Sequence, residues 1–133
     1  MLDASPLSPE LHRSKAERIA RSLQKCTPAD YEAVIEGAML AGSHWFNYAL
    51  HAYGLRAPGE DVMHAEFLTK AERLKVALAS RELVEALEEI EASRAMFVRG
   101  SAAGGEEMAR RALQLLNRIR SIALAAAPLR PIA

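Results

Sequence analysis

Residues 41–54 read AGSHWFNYALHAYG, and the placement of this stretch decides the fold. Alanine, tryptophan, phenylalanine and leucine recur at helical spacing. Among them stand two histidines, an asparagine, a serine and a tyrosine, with no lysine or arginine. The window without basic residues runs from Cys26 to Leu55, whereas a helix that only meets water carries Lys, Arg and Glu. Placing the residues at 100° intervals separates two sides. One holds Val34, Ala38, Gly42, Trp45, Phe46 and Ala49, with Tyr31, Ile35, Met39 and Tyr53 near it, and this side is the predicted core. Its small residues Ala38, Gly42 and Ala49 predict the close approach of another helix backbone. The other side collects Glu36, Ser43, His44, Asn47, Tyr48 and His51, with Leu40 among them. A polar but nearly uncharged face predicts partial burial, against a partner subunit, a ligand or the bundle interior. The plain alternative is that each of these groups hydrogen-bonds to a neighbouring helix and does no chemistry.

Outward from this segment the chain reads as helices throughout, since no stretch alternates with period two. A first helix is expected from about Pro9 to Lys25, with Ser8 as N-cap and Pro9 at the first helical position. Leu11, Ile19 and Leu23 are its inner stripe. His12, among basic neighbours, reads as a surface residue. The second helix opens at TPAD with Thr27 as N-cap and ends at Gly54, a natural residue for the left-handed position that closes a helix. A third is expected over about Glu60–Ala79. A fourth, capped by Ser80, buries Leu83, Val84, Leu87, Ile90 and Phe97. RGSAAGG (99–105) interrupts the chain, and a fifth helix runs from about Glu106 to Ala125 with Met108, Leu115, Ile119 and Ile122 on one stripe. Together these predict one all-α domain over residues 1–133, an antiparallel four- to five-helix bundle with an ordered core at about 9–126 and short flexible tails.

A chain of 133 residues with 17 basic and 17 acidic side chains has no net charge. It therefore has no bulk attraction for nucleic acid or anionic membrane. Cys26 is the sole cysteine, which excludes a disulfide framework and a cysteine metal site and suits a reducing cytoplasm. No secretory leader and no membrane-spanning run is legible.

His44 and His51 lie two turns apart, about 10 Å along the helix axis. That is too far for both to reach one metal from their own helix, given nitrogen–metal distances of about 2.0–2.1 Å. No Glu-x-x-His pair occurs; the nearest pattern is Asp61-x-x-His64. No cofactor or metal is assigned on this basis, with a site of His64, Asp61 and one second-helix histidine as the alternative. There is no Gly-x-Ser-x-Gly elbow, and the glycine-rich 99–105 segment lacks the Lys-Ser/Thr ending of a phosphate loop.

The order of elements resembles the HEPN domains (higher eukaryotes and prokaryotes nucleotide-binding). The segment AVIEGAMLAGSHWFNYALHAYGL (33–55) looks like their alanine-rich signature helix with its aromatic and histidine pattern and Gly-Leu end. PGEDVMHAEFL (58–68) then places His64 at the start of the next helix. The resemblance implies a four- to five-helix bundle that dimerises around a cleft holding an Arg-x(4–6)-His ribonuclease motif. In SRAMFVRGSA (93–102), Arg94 stands at the motif arginine and Gly100 at its trailing glycine, but Arg99 stands where the histidine belongs. A guanidinium stays protonated and cannot act as a general base near neutrality. The resemblance thus implies a non-catalytic, homodimeric module that binds a partner protein or an RNA or nucleotide phosphate, with Glu36, His44, Asn47, Tyr48, His51, Arg94 and Arg99 lining the cleft or interface. Arg94 and Arg99 could equally pair with Glu89, Glu91 or Glu106–Glu107. The alternative function is a small helical-bundle enzyme or ligand-binding protein with a histidine-lined pocket, with or without metal.

Overall fold

The computed structural model describes residues 8–62 and 68–129; His64 lies outside them. The described residues are helical, without strands, and form a bundle of four helices: α1 (Pro9–Leu23), α2 (Tyr31–Tyr53), α3 (Lys70–Ser93) and α4 (Gly105–Ala125). None of these helices is long and apolar enough to cross a membrane.

The helix ends follow local chemistry. Ser8 Oγ accepts from Leu11 N at 3.2 Å ahead of Pro9. A 3-10 turn at Pro28–Asp30 leads into α2, with Asp30 Oδ2 accepting from Thr27 N at 2.9 Å. Gly54 closes α2 at φ 76°, a left-handed conformation that costs glycine nothing. α3 begins later than the periodicity predicts. Residues 60–62 are non-helical, and the helix starts only after Thr69, whose hydroxyl accepts from Glu72 N while Glu72 Oε1 accepts from Thr69 N. The expected boundary at Ser80 is present as a kink rather than a break. Ser80 is extended (φ −161°, ψ 99°) and its Oγ accepts from Leu83 N, but the helix continues on both sides. The expected third and fourth helices are therefore one bent element. It ends in a π-helical turn at Arg94–Val98.

α2 is the central element, packed against α1, α3 and α4. Val34, Ala38, Trp45, Phe46 and Ala49 are all at most 1% exposed. At Gly42 the small-residue strip receives side chains: a Cβ there would lie 3.3 Å from Leu87 Cδ1 and 3.6 Å from Ile119 Cδ1. On α1 the inner stripe differs by one position from the expected one. Leu11 is 48% exposed, and the buried residues are His12, Ala16 and Leu23. A histidine thus occupies a core position of α1.

Ile119 is fully buried against Gly42 at the α2–α4 contact. Ile119→Ala should cost about 2–5 kcal/mol of unfolding free energy, measurable as a lower urea midpoint at unchanged slope.

Candidate functional site

Three of the chain's histidines meet where α1 crosses the polar side of α2. His12 arrives from α1, His44 and His51 from α2, and the loop after α2 adds Asp61. His12 Nδ1 lies 3.0 Å from His44 Nδ1, and His12 Nε2 lies 2.8 Å from Asp61 Oδ1. His51 Nε2 stands 3.2 Å from the same carboxylate oxygen, while its Nδ1 lies 2.9 Å from the Arg56 carbonyl. The His12 ring is 5.3 Å from that of His44 and 5.4 Å from that of His51, between centroids. The 10 Å gap between the α2 histidines is bridged by the side chain assigned to the surface from sequence. His12 is 2% exposed; with Ala16 and Leu23 it forms an i, i+4, i+11 set on the buried side of α1, the signal that its basic neighbours obscured.

Asp61 is held in place indirectly. Asn47, itself buried, donates through Nδ2 to Val62 O at 2.9 Å, and its Oδ1 accepts from Val62 N at 2.7 Å. This closed pair of bonds fixes the backbone next to Asp61. The other end of the loop is fixed by Arg56, whose Nε and Nη2 both donate to the Glu72 carboxylate. The Arg56 hydrogen bonds hold the Glu72 carboxyl down at about 2. Glu72 is also the capping residue of α3, so the Arg56 carbonyl that meets His51 is tied to a helix end.

The donors can be counted around the ring nitrogens. A carboxylate only accepts, so His12 donates from Nε2 to Asp61; a neutral His12 then accepts at Nδ1 from His44 Nδ1–H. Among the described residues nothing meets His44 Nε2, which carries the remaining lone pair. Burial lowers the pKa of both His12 and His44, and keeps both rings neutral at pH 7. His51 differs: its Nδ1–H donates to the Arg56 carbonyl, so a neutral ring turns the Nε2 lone pair toward the Asp61 oxygen. Two acceptors then face one another unless a cation, either a proton or a metal ion, lies between them.

This cluster forms one end of an open cleft of about 530 Å³ beside α2, lined by His12, His44 and Asp61 at that end and by Glu36 and Arg94 with Leu40 elsewhere. Arg94 Nε donates to Glu36 Oε1 at 2.9 Å, not to Glu89, which holds Arg111. Of the residues predicted for the site, Glu36, His44, Asn47 and Arg94 line the cleft and His51 lies behind its wall, its side chain 1% exposed. Tyr48 stands elsewhere on α2, edge-on to Trp45 at 5.5 Å between centroids, because the helix turns it toward the core. Arg99, beyond the π-helical turn, is exposed and takes no part in the cleft wall. Comparison with known proteins returned no match: no family model, no curated protein and no solved structure is significantly similar to the chain.

Asn47→Ala strips partners from a buried N–H and a buried carbonyl at Val62 and should cost about 1–3 kcal/mol for each orphaned group, read from urea denaturation. The pH dependence has a definite sign. His12 and His44 bind protons less readily folded than unfolded, so stability should fall as pH drops through about 6.5. Glu72 acts in the same direction at lower pH: its carboxyl is held down from 4.5 to about 2, so its contribution is lost only below about 4.5. Denaturation midpoints at pH 7.5, 6.5 and 5.5 should therefore decline well before any carboxylate titrates. A flat profile would contradict the neutral assignment.

Proposed function

We propose that this protein binds a small organic anion in the cleft beside α2 and can exchange a proton with it through His44. The carrying observation is the chain Asp61–His12–His44, built from three separate segments, which leaves the His44 Nε2 position as its terminus in a wall of the open cleft. An imidazole held neutral there is suited to general acid–base work near pH 7. The charge of the ligand follows from Arg94. Arg56, Arg111 and Arg118 each use Nε and Nη2 on one carboxylate. Among the described residues Arg94 meets Glu36 through Nε alone, which leaves its terminal nitrogens for a carboxylate or phosphate. The apolar portion of the lining, Met39, Leu40 and Val62, suits a carbon skeleton between the two ends.

Thermal denaturation tests this with a panel of inorganic phosphate, acetate, short dicarboxylates and AMP. A true ligand at about 100 times its Kd adds about 2.7 kcal/mol and should raise Tm by about 5–10 °C. The gain should vanish in Arg94→Ala and shrink in His44→Ala. Stabilisation that both variants retain would place binding elsewhere and overturn the reading.

One observation favours a second reading. Arg94, at the place of the HEPN motif arginine, reaches Glu36 of the long central helix inside the same cleft. A non-catalytic, homodimeric HEPN-like module would use that arginine on an RNA or nucleotide phosphate or on a partner protein. Light scattering together with an RNA oligonucleotide separates the readings. A dimer that retains the uncut oligonucleotide through Arg94 favours the second, and a monomer that binds only small anions favours the first.

A further inference from the structure

We infer that His12 Nε2, His51 Nε2 and Asp61 Oδ1 form a binding site for one divalent first-row transition metal ion, with its open coordination position directed into the cleft. The three ligand atoms lie within 4.8 Å of one another. Donors bound tetrahedrally at about 2.0–2.2 Å stand about 3.3–3.6 Å apart. The observed contacts of 2.8 and 3.2 Å to Asp61 reach that spacing by a few tenths of an ångström of side-chain movement.

Second neighbours favour the metal over a plain hydrogen-bond network. His51 has its Nδ1 committed to the Arg56 carbonyl at 2.9 Å, which fixes the tautomer with the Nε2 lone pair aimed at the cluster. An outer-nitrogen bond of this kind orients metal-ligating histidines. His12 has the equivalent outer contact, from Nδ1 to His44. Asp61 is positioned through the Asn47–Val62 bonds. A metal ion also removes the one conflict in the network, the lone pair of a neutral His51 turned toward a carboxylate oxygen 3.2 Å away.

The donor set selects the class of ion. Two imidazoles with one carboxylate suit zinc, iron(II), cobalt(II) or nickel(II), whereas calcium and magnesium require oxygen ligands. Protons balance when the metal binds. The Nε2 proton of His12 leaves to solvent, the Nδ1 proton of His44 passes to His12 Nδ1, which then donates back to His44 Nδ1, and His44 takes up a solvent proton on Nε2; a proton held between His51 Nε2 and Asp61 is released to solvent. Loading the site therefore turns His44 from an acceptor into a donor toward the cleft. The inference rests on the proposed function only for what fills the open position; the ligand set stands without it.

The test uses the full chain, stripped with a chelator, freed of it, and titrated with zinc(II) by calorimetry and cobalt(II) by visible absorption. One equivalent should bind, and cobalt should give the intense visible bands of a four- or five-coordinate ion. Asp61→Asn and His51→Ala should each weaken zinc binding at least 100-fold, while Glu36→Gln, at the far end of the cleft, should leave it within about threefold. Circular dichroism and Tm of the zinc-free variants establish that they are folded. His51→Gln stands in if His51→Ala is not. Absence of saturable binding below about 100 μM zinc, or binding unchanged by both ligand variants, would overturn the site. The anion panel run on zinc-free protein keeps the two proposals apart. Zinc binding lost only in the ligand variants, with no anion stabilising the protein, would leave the metal site standing and remove the proposed ligand. The reverse pattern would remove the metal alone.

Discussion

Two hydrogen bonds from one buried amide, Asn47, determine what the cleft can do. By donating to Val62 O and accepting from Val62 N, Asn47 acts as a further backbone unit for the segment that carries Asp61 and Val62. The two bonds satisfy a donor and an acceptor that would otherwise lie unpaired in the core. The same bonds bring the adjacent Asp61 against two histidines from different helices. Without that tie, the carboxylate would belong to a surface loop, and His12 and His51 would be buried imidazoles without a shared partner.

The tie works because α2 is rigid on its other side. Trp45, Phe46, Val34 and Ala49 are buried almost completely, and Gly42 admits Leu87 and Ile119 against the helix. The helix is therefore held in one orientation about its axis. The glycine at 54 then ends the helix in one left-handed step, which returns the chain so that the carbonyl of Arg56 meets His51. Arg56 is in turn clamped by Glu72, the residue that also caps α3. Core packing, a helix cap and a loop anchor thus form one mechanical path that ends at an imidazole nitrogen.

Much of this was legible from the sequence, and the failures have physical causes. The period of α2 assigned its core and polar sides, and Asp61 with a second-helix histidine belonged to the open metal alternative. His12 reads as a surface residue because its neighbours Arg13 and Lys15 suggest a solvated face. The helix period instead carries it inward with Ala16 and Leu23, and leaves Leu11 exposed. Charged neighbours describe the adjacent faces of a helix, not the face on which a residue itself lies. The late start of α3 has a related cause: a helix is expected from about Glu60, but the capping box at Thr69 and Glu72 marks the start of α3. Such a box carries more boundary information than periodicity, because it satisfies the N–H groups that a helix start leaves open.

The histidine cluster also explains why α2 carries no basic residue. A lysine or arginine beside His44 or His51 would compete for Asp61, the single carboxylate that both His12 and His51 approach. A permanent cation at that point would hold the carboxylate as an ion pair and leave no place for a proton or a metal ion. Lys15 illustrates the margin: from α1 it already disfavours the charged form of His44. Arg94 brings positive charge to the cleft from a different element, at the Glu36 end of α2. The Arg94 guanidinium and the histidine cluster thus stand at opposite ends of one cleft beside α2.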